Sequence, residues 1–305
     1  MSFQNSNYLV ETDWLEEHLH DPDLRILDCT VYLPNYFEES SGRKVEIVPG
    51  REDYERGHIP GSAYVDLVSE LTDLNNKRFM FPMPSATQFA ETMSRHGVGG
   101  GTRVVLYDRM LNIWAARVWW MLRAFGFENA AVLNGGWKKW TLEGRPVSTE
   151  PATYTTARFV PAPRPELIAT KDEVLAAIGT QQTCIVNALD ADEYAGRGPV
   201  KYGRPGHIPS SVNVSFVGVV DPSTSAYLPE EELRRKFASV GALGKERVIT
   251  YCGGGIAASG DAFLLTLLGA KNVAVYDGSM TEWGADRSLP LETGDAVLRQ
   301  QVGTA

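Results

Sequence analysis

"VITYCGGGIAASGDAFLLTLLGAKNVAVYDGSMTEW", residues 248–283, contains the elements from which a parallel α/β sheet is built. Its first four residues form an apolar run typical of a buried strand, and "NVAVYDG" near its end is a second such run. The intervening "AASGDAFLLTLLGA" is predicted to be a helix. A strand, a helix and another strand in this order predict parallel strands joined by a crossover helix. Cys252 follows the first strand, at the edge of the sheet where ligands bind in such folds.

The same pattern occurs a second time, earlier in the chain. "VVLYDRMLNIWAARVWWMLRAFGFENAAVLNGGWKKW" from Val104 matches the stretch quoted above. In the same way "RGHIPGSAYVDL" from Arg56 matches "PGHIPSSVNVSF" from Pro205. The copies are offset by about 145 residues, which is too long for one unit of a solenoid. The repeat therefore indicates duplicated domains.

We predict two α/β domains, each a parallel sheet flanked by helices. The N-terminal domain is expected over residues 1–145 and the C-terminal domain over residues 167–305. The intervening residues 146–166 are rich in proline, which is typical of a linker. A chain of 305 residues has room for two domains of this size, each with its own core.

Composition disfavours several classes of function. A formal charge of −9 without a basic stripe argues against nucleic-acid binding, and no apolar run is long enough to span a membrane. The N-terminus lacks the pattern of a signal peptide, and Cys29, Cys184 and Cys252 form no CxxC pair, so a reducing cytoplasmic setting is expected. No metal-ligand cluster or nucleotide loop is present in the sequence, so no cofactor and no metal are expected.

The three glycines after Cys252 point to chemistry at its sulfur. A cysteine reacts as its thiolate, and a helix N-terminus can lower the thiol pKa from its free value of about 8.5. Glycines allow successive backbone N–H groups to turn inward and surround an anion. With Gly253, Gly254 and Gly255 before the predicted helix, the loop is expected to hold an anionic sulfur, either bare or as a persulfide.

The motifs of both halves resemble those of tandem-domain rhodaneses, the thiosulfate and 3-mercaptopyruvate sulfurtransferases. The motifs are "YCGGGIAAS", "GHIPSSVNVSF" and "VAVYDGSMTEW" in the C-terminal half, and "RGHIPGSAYVDL", "RVWWMLRAFG" and "VLNGGWKKWTLEGRPVS" in the N-terminal half. The resemblance implies an active site in the interdomain cleft, with Cys252 as nucleophile in the loop Gly253–Ala257 (Gly253, Gly254, Gly255, Ile256 and Ala257). Cys252 would take sulfur from a small donor as a persulfide and pass it to a thiol or to cyanide. The N-terminal domain, with Asp108 at the cysteine position, would be inert.

The length of the loop excludes a related activity. Rhodanese-fold phosphatases need an arginine six positions after the cysteine to grip the oxyanion. Ala258 occupies that position here. Phosphatase chemistry is therefore not expected.

The identity of the sulfur donor is not determined by the sequence, because the donor-binding residues of the family are replaced here. The loop lacks both the cations of thiosulfate enzymes and the serine of mercaptopyruvate enzymes, and Leu189 stands where the family has a donor-binding arginine. Thiosulfate, 3-mercaptopyruvate and another organic donor all remain candidates. Residues that could bind the donor instead are Arg197, Lys201 and Arg204 downstream, and Tyr32, Arg51 and Asp53 in the N-terminal half.

A function of a different class is also open. The chain could be a persulfide carrier, holding sulfur on Cys252 for a sulfur-accepting protein and turning over small donors poorly. An enzyme would make many thiocyanate molecules from cyanide, whereas a carrier would make about one per chain.

Overall fold

Two five-stranded parallel sheets form the framework of the molecule, which is known from a computed structural model describing residues 3–36 and 45–295. The N-terminal sheet has the strand order β1-β7-β6-β2-β5, and a short antiparallel hairpin, β3 with β4, lies beside it. The elements of this half are β1 Leu9–Val10, α1 Thr12–His18, β2 Leu24–Asp28, β3 Val31–Tyr32, β4 Val48–Pro49, α2 Arg51–Arg56, β5 Ser62–Tyr64, α3 Ala86–Arg95, β6 Arg103–Tyr107, α4 Ile113–Ala124, β7 Ala130–Leu133 and α5 Gly136–Leu142.

The C-terminal sheet repeats the first one strand for strand. Its order is β10-β9-β11-β12-β8, and all its neighbours are parallel. The prediction of two duplicated parallel α/β sheets is thus confirmed. The elements of this half are β8 Ile168–Ala169, α6 Lys171–Ala177, β9 Thr183–Asn187, α7 Ala191–Tyr194, β10 Val212–Asn213, α8 Glu230–Ser239, β11 Arg247–Tyr251, α9 Ile256–Leu267, β12 Val273–Tyr276 and α10 Ser279–Ala285.

The helices α4 and α9 pack against each other between the two sheets. All twelve residues of α9 are buried, in agreement with a sequence whose only polar side chains are Ser259, Asp261 and Thr266. The core runs through this contact from one half into the other. Each of these helices follows a central strand, β6 or β11, after a short loop. The two loops therefore lie at the domain interface. No helix in the described ranges is long and apolar enough to cross a membrane.

The chain between the two sheets, residues 146–164, contains no helix. It is nevertheless tied to the N-terminal half by hydrogen bonds: the Tyr154 hydroxyl donates to the Gly61 carbonyl (2.5 Å) and the Ala162 N–H to the Phe125 carbonyl (2.9 Å). This segment therefore packs along the N-terminal half rather than crossing open solvent.

Candidate active site

Cys252 lies at the carboxyl end of β11 and is only 3% exposed. Backbone bonds fix its position: its N–H donates to Ser279 Oγ (3.1 Å), and its carbonyl accepts from the Met280 N–H (3.0 Å). The N–H groups of Gly254, Gly255 and Ala258 hydrogen-bond its thiol. The turn therefore surrounds the sulfur with backbone donors, the arrangement in which polypeptide binds small anions.

Burial, not the helix, dominates the acidity of this thiol. Removal from water raises the pKa of Cys252, while the three backbone N–H groups and the Ser279 hydroxyl lower it. The result lies above the ordinary value for cysteine. The sequence predicted a lowered pKa from the helix N-terminus. It missed the effect of burial, because an apolar strand does not reveal how deeply the sulfur that follows it is buried.

A raised thiol pKa means less thiolate at neutral pH, so the reactivity of Cys252 should keep rising as the solution is made alkaline. We expect alkylation by uncharged iodoacetamide to accelerate about tenfold per pH unit from about pH 6 to about pH 9, since only the thiolate reacts. Peptide mass spectrometry of timed samples gives the rate at each cysteine. Cys184 is the internal control and should react more slowly throughout, because burial raises its pKa to about 11. A plateau for Cys252 below about pH 8 would contradict the raised pKa.

Two of the three glycines are required by close neighbours. A Cβ at Gly253 would overlap the ring of Tyr202. Gly255 has a φ of +83°, and a Cβ there would lie 2.9 Å from Asp277 Oδ1. Gly254 is less restricted, because its nearest neighbour is the flexible side chain of Met80, 3.3 Å away. The glycines therefore serve both to expose the backbone and to let neighbouring side chains approach it.

A buried ion pair supports the loop from the other domain. Arg117 on α4 is fully buried, and its Nη2 lies 2.6 Å from Asp277 Oδ1, which follows β12. The same nitrogen donates to the Phe81 carbonyl (2.9 Å), and Asp277 Oδ2 accepts the Met83 N–H (3.0 Å). Because Asp277 contacts the loop at Gly255, the ion pair connects the N-terminal domain to the turn that carries Cys252.

A cavity of about 70 Å³ opens beside Cys252 between the two domains. None of the side chains that line it in the described ranges is charged. Leu189, the residue at the position of the family arginine, is one of them and is 3% exposed. The lining includes Leu33, Phe81, Met110 and Trp114 from the N-terminal half and Leu189 and Phe216 from the C-terminal half.

Two tyrosines that the sequence did not single out also line this cavity. The Tyr202 hydroxyl donates to the hydroxyl of Tyr36 (3.3 Å), which donates to Glu193 Oε2 (2.9 Å). Burial raises the pKa of Tyr36 well above its usual range. Both rings therefore present neutral groups to the cavity. Tyrosines in loops carry no sequence pattern by which this role could have been predicted.

The three cations suggested as donor-binding residues do not line the Cys252 cavity. Arg204 instead connects two segments of the backbone through hydrogen bonds to four carbonyls. The acceptors are those of Trp283 (3.1 Å), Gly284 (3.1 Å), Asp286 (2.7 Å) and Leu289 (3.0 Å). Arg197 is 52% exposed and pairs with Asp192 and Asp295. Lys201 Nζ lies 2.9 Å from Glu193. All three line a smaller neighbouring cavity of about 20 Å³.

The three candidates in the N-terminal half also lie outside the cavity lining. Tyr32 pairs with Val48 in the hairpin. The Arg51 guanidinium stacks 4.8 Å from the centre of the Tyr64 ring, and Asp53 pairs with Arg56 one helical turn later. These residues were candidates because the family has a loop facing the cysteine in this part of the chain. In the structure their partners belong to the N-terminal half itself.

The corresponding loop of the N-terminal half holds a carboxylate in place of the sulfur. Burial raises the pKa of Asp108 to about 6, although several backbone N–H groups act to lower it. Its two oxygens accept from the N–H groups of Met110 (2.6 Å), Asn112 (3.1 Å), Trp114 (2.9 Å) and Ala115 (2.9 Å). This turn therefore binds an anionic group of its own chain, in the same place in the fold as Cys252.

Comparison with known proteins finds the rhodanese-like domain twice, at residues 11–143 and 170–286. The chain is 33% identical to the thiosulfate sulfurtransferase of Rattus norvegicus, covering 93% of this chain and 94% of that protein. It is 32% identical to the sulfur carrier protein TtuD of Thermus thermophilus, covering 97% and 100%. Among solved structures, the 3-mercaptopyruvate sulfurtransferase SseA of Escherichia coli matches with a TM-score of 0.77 and 28% identity, covering 89% of this chain and 98% of that one.

Proposed function

The chain belongs to the rhodanese-like family, of which it contains two domains, and we propose that it is a sulfurtransferase working through a persulfide on Cys252. Relatives named for sulfur transfer match it over nearly their whole length. They support an activity that moves sulfur from a small donor to an acceptor. The residue that carries the sulfur and the identity of its donor go beyond those names.

The observation that carries the proposal is the set of backbone donors around the Cys252 sulfur. Gly254, Gly255 and Ala258 direct their N–H groups to it. In the N-terminal half the matching turn holds the carboxylate of Asp108 by four such bonds. The donors of this turn oppose the larger effect of burial on the pKa of Cys252, and so reduce the cost of negative charge on its sulfur.

The reaction divides into two transfers of one sulfur atom. The Cys252 thiolate attacks the outer sulfur of the donor, the new bond forms between the two sulfurs, and the donor leaves with the electron pair of the broken bond. An acceptor thiolate or cyanide then attacks the outer sulfur of the persulfide. The bond to Cys252 breaks, and its electron pair restores the thiolate. No oxidant or reductant is required in either step.

A second candidate function is delivery of sulfur to a protein. It is supported by the match to a protein named as a sulfur carrier, which this chain resembles over all of that protein's length. The two functions share the persulfide and differ in what removes the sulfur. Thiosulfate and 3-mercaptopyruvate, the donors in the names of the relatives, are the first to test in either case.

The test is to locate the sulfur and to count turnovers. The protein is incubated with thiosulfate, with 3-mercaptopyruvate and with inorganic polysulfide, then alkylated, digested and analysed by peptide mass spectrometry. One added sulfur is expected on the Cys252 peptide and none on the peptides of Cys29 and Cys184. Cyanide is then added and thiocyanate is measured: many equivalents per chain indicate an enzyme, about one a carrier. Sulfur on Cys29 or Cys184, or on none of the cysteines, would exclude the proposed mechanism.

A further inference from the structure

The cavity beside Cys252 has an unusual composition for a site that handles anionic sulfur compounds. Its lining in the described ranges consists of aliphatic, aromatic and glycine residues together with the cysteine itself. Leu189 and Phe216 are buried in the C-terminal wall, and Phe81 and Trp114 in the N-terminal wall. Three backbone N–H groups of the turn, those of Gly254, Gly255 and Ala258, are directed to the sulfur of Cys252.

The two tyrosine hydroxyls of the lining direct their protons to other side chains. The Tyr202 hydroxyl donates to Tyr36, and the Tyr36 hydroxyl donates to Glu193. The nearby cation, Lys201, lies 2.9 Å from the same carboxylate and 3.8 Å from the centre of the Tyr36 ring. A carboxylate or sulfonate entering this cavity would therefore lose its water and meet no cation among the described residues of the lining, which is unfavourable.

We propose that this cavity binds the hydrocarbon part of a small apolar thiol, which carries no charged group besides its sulfur and accepts the sulfur from Cys252. The inference rests on the proposed persulfide. A volume of about 70 Å³ is well below the roughly 150 Å³ of an apolar cavity that takes a benzene ring, so it suits a chain of a few carbon atoms. The apolar wall lies directly beside the sulfur, so a thiol bound through its hydrocarbon part would have its sulfur next to the persulfide.

The transfer balances without further reagents. The acceptor thiolate, R–S⁻, attacks the outer sulfur of Cys252–S–SH and forms a new sulfur–sulfur bond. The bond between the Cys252 sulfur and the outer sulfur breaks, and its electron pair stays on Cys252 as the thiolate. The product is the organic persulfide R–S–SH, which keeps the proton of the outer sulfur.

The test compares acceptors of the same length and different charge. The full chain is loaded with inorganic polysulfide, loading is verified by intact mass, and the persulfide is discharged with 1-propanethiol or with 3-mercaptopropionate. At equal thiolate concentration, propanethiol is expected to discharge Cys252 at least about tenfold faster, because the described lining offers the carboxylate no cation. Equal rates, or a faster reaction with 3-mercaptopropionate, would overturn the proposal.

Variants that add a positive charge test whether the cavity is responsible. Leu189→Arg and Met80→Lys each place a cation at its lining; Met80 is only half-buried, so that variant keeps the test open if Leu189→Arg fails to fold. Each is expected to shift the ratio of rates toward 3-mercaptopropionate by about tenfold. Val160→Arg, an exposed position outside the cavity, is the charge-matched control and should leave the ratio unchanged. An unchanged ratio in Met80→Lys would count against binding in this cavity.

Failure to load any sulfur on Cys252 would contradict the proposed function instead, and the cavity can then be tested without a persulfide. Two unreactive thioethers, methyl propyl sulfide and 3-(methylthio)propionate, are compared as protectants of Cys252 against iodoacetamide. Protection by the uncharged compound at a concentration at least about tenfold lower supports the inference. Equal protection by both, or by neither, would overturn it.

Discussion

Replacement of Cys252 with serine is expected to abolish sulfur transfer, with turnover falling by at least about a thousandfold. The substitution preserves the size of the side chain and its hydrogen bonds in the turn. A serine hydroxyl, however, is not ionised near neutral pH and forms no persulfide, so the first transfer has no nucleophile. Thiocyanate formation in the presence of cyanide measures the loss, and intact mass measures the absence of added sulfur.

Cys184→Ser is the matched control for this result. Cys184 lies in β9 beside β11, and burial raises its pKa to about 11, so it contributes little thiolate. The variant should retain turnover within about twofold, provided that it folds with an unchanged melting temperature. Retained turnover in Cys252→Ser, or loss of turnover in Cys184→Ser, would show that Cys252 is not the nucleophile.

The fold and the position of Cys252 follow from local patterns that the chain repeats. Apolar runs such as "RVITY" become strands, and the apolar stretch after the glycines becomes α9, because the same order of elements occurs in both halves. The carboxyl end of a central parallel strand then places Cys252 at a site edge. Little tertiary information is needed for either conclusion.

The residues that line the cavity could not be predicted from such local patterns. Tyr36 and Tyr202 lie far apart in the chain and meet only because the two domains face each other. The cations near the cysteine were predicted to bind the donor, but they do not line the cavity. Arg204 has a suitable charge in the expected region, and its guanidinium donates hydrogen bonds to backbone carbonyls instead. A sequence shows which charges exist and not which partners already hold them.

The second large effect is expected at Arg117, whose removal should destabilise the molecule. Arg117→Met leaves the carboxylate of Asp277 without its cation in a buried position, which costs about 3–5 kcal/mol when one partner of such a pair is removed. Urea denaturation followed by tryptophan fluorescence gives the free energy of unfolding. Arg95→Met is the control: it removes a pair with Glu70 in which Arg95 is 55% exposed, and it should cost at most about 1 kcal/mol.

The repeat itself supplies the compensating change for this variant. In the N-terminal half the position of Asp277 is taken by Asn134, whose Oδ1 accepts the Tyr227 N–H (2.8 Å), just as Asp277 Oδ2 accepts that of Met83 (3.0 Å). An amide oxygen can thus accept this bond in place of a carboxylate oxygen. Adding Asp277→Asn to Arg117→Met should therefore recover most of the lost stability, whereas Asp277→Asn alone should destabilise by leaving Arg117 unpaired. If the double variant is no more stable than Arg117→Met, the loss lies in the packing of the arginine side chain and not in the unpaired charge.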